Sequence, residues 1–536
     1  MSITTVIEHQ PIVHCNAIIA PSTPSSGQAG QRLSTERILP EGDQVRVSDY
    51  DFPDLSTSRS VVIISILTGI AAMTSMSTGI LTVGLPVIAH DIGLSGSLLL
   101  WPASIFALTS GCSLLLAGAV ADVLGNRKIY LSGCVLLTAF VFACGLARTG
   151  TQLIVFRALQ GVAMSLCLPT AVSILTASFP NGKTRNVGFS FLGAGQVLGF
   201  CIGLVLGGVL IETVGWRIGY YICGGVHVIA LALACWVLPE DRKREATSWQ
   251  RLYFDIDWVG AIIASSCLGL LSYVLASVTG SSSSIKEPLN ATLMTVAVVL
   301  VPGFVLWVGR QERHGKPALI PNSLWKIPAF TAVCLMVLLS WGVMNSMEYF
   351  VSLFYQEVQE LSALQASLRF VPGLLVGFSL NVATGLLVHK FPANYLVIIS
   401  TLLCAGSPLL MALINPKWSY WYAAFWSMVL YPVSADVLFT ISSLIIVDVF
   451  PAKTHALAGA VFNTVAQFGT SLGIAIMAVV ASNVTQDSGD PDKESPAALM
   501  EGYRVTFWLG FGGMLLTVAV GVVGLRKAGK VGLKRE

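Results

Sequence analysis

Apolar runs of about 20 residues or more alternate with short polar segments along most of this 536-residue chain. Fourteen such runs are legible, at 61–87, 98–120, 128–147, 151–178, 187–210, 217–238, 257–279, 291–309, 328–355, 366–388, 395–414, 419–448, 455–482 and 504–525. About 20 apolar residues make a helix long enough to cross the hydrocarbon of a bilayer. The pattern therefore predicts an all-α integral membrane protein with fourteen transmembrane helices. Residues 1–60 break it. They are rich in Ser, Thr, Pro, Gly and Gln, bury too little apolar surface to order themselves, and read as a disordered cytoplasmic segment. The first run, from Val61, lies too far in for a secretory leader and reads as a retained span.

Charge supplies the topology. If the loops after odd-numbered spans face outward, the inward segments hold 23 Lys and Arg and the outward ones 7, with Arg157 inside a span. Basic loops stay in the cytosol, so both termini are expected there. Two glycosylation sequons, Asn290-Ala291-Thr292 and Asn483-Val484-Thr485, fall in loops assigned outward and make the protein a candidate glycoprotein. Two charged connectors, from Glu240 to near Asp257 and from Arg310 to Lys326, bracket spans 7 and 8. They divide the chain into a first six-helix bundle (61–238), linkers with two extra helices (239–327), a second six-helix bundle (328–525) and a cytoplasmic tail (526–536).

Composition narrows the function. Only 11% of residues are charged and mean hydropathy is +0.75. A net charge of +3 is too small for a nucleic-acid partner. The 11 cysteines lie mostly within apolar runs, with no CxxC pair or His/Cys cluster, and read as small buried hydrophobes; no metal and no cofactor are expected. No Gly-x-x-x-x-Gly-Lys-Ser/Thr loop is present, so energy must come from a gradient.

Three segments carry candidate chemistry. The turn after span 2 reads Gly118-Ala119-Val120-Ala121-Asp122-Val123-Leu124-Gly125-Asn126-Arg127-Lys128. Gly118 and Asp122 share a helix face; the glycine would let a neighbouring helix come close, and the carboxylate would cap that helix or pair with Arg127. Gly118, Asp122, Gly125, Arg127 and Lys128 thus form a candidate conformational latch, the alternative being a turn that only holds its basic pair inside. After span 10 a faint echo, Gly385 to Ala393, puts His389 in the place of Asp122. In span 4, Arg157, Gln160, Gly161 and Met164 form one stripe. An arginine in lipid is costly and is expected to face the bundle interior, unless it snorkels to water from an outer position. Span 5 spaces Gly195, Gly199, Gly203 and Gly207 by four, with Gly208 adjacent, which clears one helix face for tight packing.

In order and spacing, these segments resemble the major facilitator superfamily, and with fourteen spans its drug:proton antiporter branch, especially the fungal members. The resemblance covers roughly residues 60–526. It implies the major facilitator fold, two six-helix bundles plus two inserted helices that rock about a midplane cavity. It further implies that Arg157 takes part in proton transfer and that the span-5 glycines form the interface where the halves rock. Two positions depart from the pattern. Leu204 stands where a proline normally follows the third glycine. Ser77 stands where the branch carries an acid in span 1, ahead of Leu85-Pro86.

Other residues offer replacements for that acid. Asp436 in span 12, with Thr440 and Ser443 on its face, and Glu348 in span 9, three after Asn345, are proton-coupling candidates beside Arg157. A carboxyl group in a low-dielectric interior can hold a proton and release it when wetted. Gln160, Asn345, Asn463 and Gln467 are candidate cavity-lining residues. His227, alone on an apolar face, reads as a packing residue. Trp341, Tyr349, Phe350, Trp426 and Tyr431 supply either aromatic cavity walls or interfacial anchors.

The sequence thus predicts a monomeric, proton-coupled efflux transporter (antiporter) for a hydrophobic or amphipathic small molecule such as a drug, toxin or secondary metabolite. It would act in the lipid bilayer of the cell membrane, or alternatively the vacuolar membrane, and contribute to multidrug resistance. Uptake or facilitated transport of a nutrient or metal chelate is the alternative that Ser77 keeps open. A nutrient sensor would call for a longer tail than the about ten residues after Leu525. An enzyme would call for a Ser/His/Asp or HExxH set, which is absent.

Overall fold

The computed structural model describes residues 56–179, 183–240, 256–279, 287–387, 392–435, 437–438, 441–442 and 455–526. Asp436, Thr440, Ser443 and His389 lie outside them. The described chain is helical throughout: α1 (Thr57–Ile92), α2 (Trp101–Leu124), α3 (Asn126–Leu146), α4 (Gly150–Ser178), α5 (Lys183–Thr213), α6 (Trp216–Val237), α7 (Trp258–Thr279), α8 (Pro288–Arg313), α9 (Pro328–Leu353), α10 (Ala363–Leu387), α11 (Ala393–Leu413), α12 (Ala424–Leu430), α13 (His455–Asp487) and α14 (Pro496–Gly524). Among the described residues twelve helices are long and apolar enough to cross a membrane; Trp258–Leu271 and Ala424–Ala435 are shorter apolar stretches.

Local chemistry sets the ends. The side chains of Ser56, Thr149 and Ser495 accept hydrogen bonds from the backbone N–H groups of Arg59, Gln152 and Ala498, satisfying donors that a helix start leaves unpaired. Gly93 ends α1 in the left-handed conformation, φ +63°, which glycine adopts without a Cβ clash.

The end at which α1 begins is the proximal end; the opposite one is distal. In the first half α1 packs on α5 and α6, and α3 on α4 and α6. The second half repeats this, α9 on α13 and α14, and α11 on α12 and α14. Between the halves α5 meets α10 and α2 meets α13. The extra pair α7 and α8 pack on each other, and α7 leans on both α2 and α13, across the seam.

The apolar cores show how the halves meet. At the distal end one continuous core joins residues of both halves, among them Ile80, Leu85, Tyr220, Phe350, Phe354, Met411 and Phe507. At the proximal end the halves have separate cores. One is built on Ile63, Leu67, Tyr130 and Leu175, the other on Phe330, Val333, Val397 and Phe462, which Leu115 of α2 joins.

The inserted pair is pinned by Asp257, which is 6% exposed. Its carboxylate accepts from Gly260 N at 2.8 Å, Trp307 Nε1 at 2.9 Å and Leu319 N at 3.1 Å. One acid thereby ties the start of α7, the last turns of α8 and the following connector together. Both predicted sequons fall inside helices rather than loops. Asn290 is 3% exposed in the first turn of α8, and Asn483 is half-buried in the last turns of α13. The helices extend past the apolar runs because polar residues can continue a helix at a membrane boundary, which hydropathy alone does not reveal.

Candidate functional site

Arg157 anchors a polar network in the distal half of the fold. It projects from α4 and is fully buried. Its Nε donates to Pro102 O at 3.2 Å, and its Nη1 to Gln160 Oε1 at 2.9 Å. The guanidinium carbon lies 4.4 Å from the Phe106 ring centroid, within cation–π range. Gln160 passes the chain on: its Nε2 donates to Ser77 Oγ at 3.1 Å, and Ser77 donates to Thr74 O at 2.7 Å. Arg157 Nη2 is buried with no hydrogen-bond partner. Among the described residues no carboxylate lies within ion-pair distance of this arginine. A buried charge held only by neutral acceptors is costly and marks a site by default.

Gln160, expected on a cavity wall, is itself fully buried. It braces Arg157 and links α4 to α1, because one amide can accept from the guanidinium and donate to the Ser77 hydroxyl at once. Ser77 stands where an acid was expected and receives that amide. The network therefore carries one formal positive charge and no negative one.

The second half contributes a carboxylate of its own, Glu348. It is half-buried on α9, and the Tyr431 hydroxyl, also 3.3 Å from Met344 O, donates to its Oε1. Cys201 of α5 lies within electrostatic reach of Glu348, and Tyr349, beside it, within reach of Arg157. Asn345 turns its amide back to Trp341 O at 3.0 Å, and Asn463 does the same to Gly459 O at 2.9 Å. Gln467 borders α2, where a Cβ on Gly111 would stand 3.0 Å from its Cβ. The aromatic candidates divide: Tyr349 and Phe350 are buried in the distal core, Tyr431 holds Glu348, and Trp426 is 55% exposed on the outer surface. His227 is buried with Nδ1 2.9 Å from Cys223 O.

The span-5 glycines pack differently from what the resemblance implies. A Cβ at Gly195, Gly199 or Gly203 would collide with Thr68, Ala72 O or Met76 O, and one at Gly207 would stand 3.1 Å from Ile80 Cα. Those partners recur every four residues on α1, so the stripe seals α5 to α1 within one half. Only Gly208 reaches the other half, where a Cβ would meet Ser367 Oγ at 2.7 Å and Leu364 Cα at 2.9 Å. The second half has a counterpart that sequence reading missed: Gly469 and Gly473 of α13 press against Leu338 and Gly342 of α9. Its only signal was a four-residue glycine pair, shorter than the α5 stripe.

The turn after α2 is also partly revised. Gly125 has φ +107°, a conformation that favours glycine, and it turns the chain into α3. Asp122 and Lys128 are exposed. Arg127 Nη2 donates to Cys235 O at 2.7 Å, and its Nη1 lies 3.8 Å from Glu240 Oε1, so the turn is tied to the proximal end of α6. A Cβ at Gly118 would meet only Pro169 Cβ, at 3.8 Å; no close helix approach depends on that glycine here. The close approach on α2 falls instead at Gly161 of α4, where a Cβ would clash with Thr109 and Phe106 O.

The distal closure is polar as well as apolar. Ser352 Oγ donates to Thr82 O at 3.0 Å, Gln356 Nε2 to Val83 O at 2.9 Å, and Leu364 N to Glu212 Oε1 at 2.9 Å. All three bonds cross between the halves.

Known proteins share this architecture. The sequence profile of the Major Facilitator Superfamily matches residues 67–474. The chain is 40% identical to the protein named MFS-type transporter 1 of Pyricularia oryzae, over 96% of this chain and 91% of that one. It is 25% identical to a low affinity ammonium transporter of Saccharomyces cerevisiae, over 91% and 93%. It is 28% identical to a cephamycin export protein of Amycolatopsis lactamdurans, over 83% and 88%. Among solved structures, a bacterial homologue of the human lysosomal transporter Spinster superposes with a TM-score of 0.63 at 14% identity, over 88% of this chain and 98% of that one.

Proposed function

We propose that this chain, which belongs to the Major Facilitator Superfamily, exports a hydrophobic or amphipathic small molecule across the cell membrane in exchange for protons. The family and the fold are those of multi-pass membrane transporters of small molecules. The observation that carries the finer reading is one interior ionisable group in each half, Arg157 buried in the first and Glu348, held by the Tyr431 hydroxyl, in the second. A carboxyl group in a dry interior can hold a proton and trade it for a substrate as its surroundings wet and dry. Glu348 takes over from the acid that Ser77 replaces. Asp436, outside the described residues, is the second candidate for the same task.

With the termini in the cytosol, the proximal end is the inner one. Separate inner cores and a shared outer core then describe the inward-open form of an alternating-access cycle. The two halves, 61–238 and 328–525, rock while α7 and α8 ride on the seam, giving fourteen spans. The name of the cephamycin export relative supports export. The test is flux of a fluorescent amphipath into inside-out vesicles. A pH gradient should drive accumulation with the native chain, and Glu348→Gln should reduce it to the protein-free level while surface abundance holds. Undiminished gradient-driven flux in that variant removes Glu348 from the mechanism.

Uptake or facilitated passage of a nutrient is the second reading. It is favoured by Ser77 and by the ammonium transporter among the relatives. It predicts flux that follows the substrate gradient alone, in either direction, whatever the pH difference.

A further inference from the structure

We propose that an open cleft at the distal edge of the second half holds the phosphate group of an anionic lipid in the adjacent leaflet. The cleft has a volume of about 680 Å³ and is lined by Gln359, Arg369, Lys417, Trp418, Glu501 and Arg504, among others. It lies apart from Arg157 and Glu348, and the export reading assigns it no role.

The first argument is the scarcity of positive charge. Only 7 of the 31 Lys and Arg residues belong to distal segments, as expected where basic residues are retained on the other side. Three of the seven, Arg369, Lys417 and Arg504, nevertheless converge on this one cleft, against a single carboxylate, Glu501. Among the described residues the ion pairs are Arg127 with Glu240 and Arg217 with Asp91, so none of the three cations is neutralised by a side chain. Three like charges brought together repel, and a shared anion removes that cost.

The second argument is preorganisation. The Arg369 guanidinium lies 5.0 Å from the Tyr355 ring centroid and 5.3 Å from that of Tyr420, and it donates to Gln359 Oε1. Gln359 is itself held by donating to Pro416 O at 2.8 Å, and the Tyr420 hydroxyl donates to Arg369 O at 2.8 Å. Arg504 spends one N–H on Ile414 O at 3.3 Å. Each arginine carries five N–H donors, and the others remain for oxyanion oxygens.

The third argument is depth. Trp418, Trp421, Tyr422 and Trp426, beside the cleft in sequence, are 42%, 67%, 71% and 55% exposed. Exposed aromatic rings of this kind sit at the headgroup level of a bilayer, which puts the three cations level with lipid phosphates. A lipid phosphodiester is therefore the expected source of the oxyanion, rather than free phosphate from solution.

The test uses the full-length protein in a neutral maltoside detergent, titrated with phosphatidylglycerol or phosphatidylcholine and read by native mass spectrometry. The native chain should bind phosphatidylglycerol about tenfold more tightly than phosphatidylcholine, the scale of one to two charge-assisted contacts. Lys417→Gln/Arg504→Gln should lose that preference while still unfolding cooperatively as a folded protein; Arg369 is left in place because its two rings pack on it. Glu348→Gln should keep the preference, so a failed export mechanism and a failed lipid site give different results. Retention of the preference in the double variant overturns the proposal. So does binding of inorganic phosphate at millimolar concentration without any preference between the lipids.

Discussion

Arg157 spends two of its donors on a backbone carbonyl and an amide, and keeps a third buried without a partner. Lysine carries a single ammonium on a flexible stem and cannot reproduce a planar fork that engages Pro102 O and Gln160 Oε1 together. Arg157→Lys should therefore lower the transport rate by about tenfold or more, corresponding to loss of at least one charge-assisted bond. Vesicle flux normalised to protein abundance measures it. Ser77 belongs to the same argument. Its hydroxyl receives the Gln160 amide, so Ser77→Ala should leave that amide short of an acceptor at a cost of about 1–3 kcal/mol, read as a lower melting temperature. The identity of Arg157 as the costly residue was legible in the chain, because a lone cation amid apolar residues stands out. The brace by Gln160 was not, since i and i+3 residues share a face whether they line a cavity or bond each other.

Helix pairs are set by what a bare backbone permits. Along α5 a Cβ at Gly199 would strike the Ala72 carbonyl, whereas Gly193 of the same helix has open space around its Cα. Gly199→Val should destabilise the protein by about 1–3 kcal/mol or more, the range for overpacked contacts, while Gly193→Ala should be neutral or slightly stabilising. Thermal unfolding of the solubilised protein separates the two. The four-residue spacing announced that α5 packs tightly but could not say against which helix. Spacing reports the geometry of one surface and carries no information about its partner; the interface between halves follows only from the resemblance, and the packed bundle sets the stripe against α1. The inserted pair makes the same point with an acid. Asp257→Ala would strand the donors Gly260 N, Trp307 Nε1 and Leu319 N, at about 1–3 kcal/mol for each that finds no water. The α7–α8 unit should then loosen, seen as faster amide exchange in α7 with the central site still intact.

Alternating access requires that the distal contacts part. Glu212 of α5 accepts from Leu364 N of α10, and the two sit on opposite halves. In a background cleared of native cysteines, Glu212→Cys/Leu364→Cys joined by a short bifunctional reagent should arrest transport, and reductive cleavage of that reagent should restore it. Full transport by the cross-linked protein would falsify the rocking of these halves about a distal closure. The pairing of α1 with α5 and of α9 with α13 shows two halves built alike, which the faint echo between Gly118 and Gly385 hinted at without demonstrating.

Length, apolar runs and the uneven spread of basic residues were enough to declare a many-helix membrane protein, because hydrocarbon tolerates only backbones that satisfy their own hydrogen bonds. The same reading singled out Gly125, Arg157 and Glu348, since charge and glycine are conspicuous against an apolar background. Partners were a different matter. That Gln160 grips Ser77, that the α5 glycines face α1, that both sequons lie within helices, and that three scattered cations share one cleft all depend on residues far apart in the chain. Local pattern cannot encode such neighbours: each is set by how the helices cross, and crossing is a property of the packed bundle.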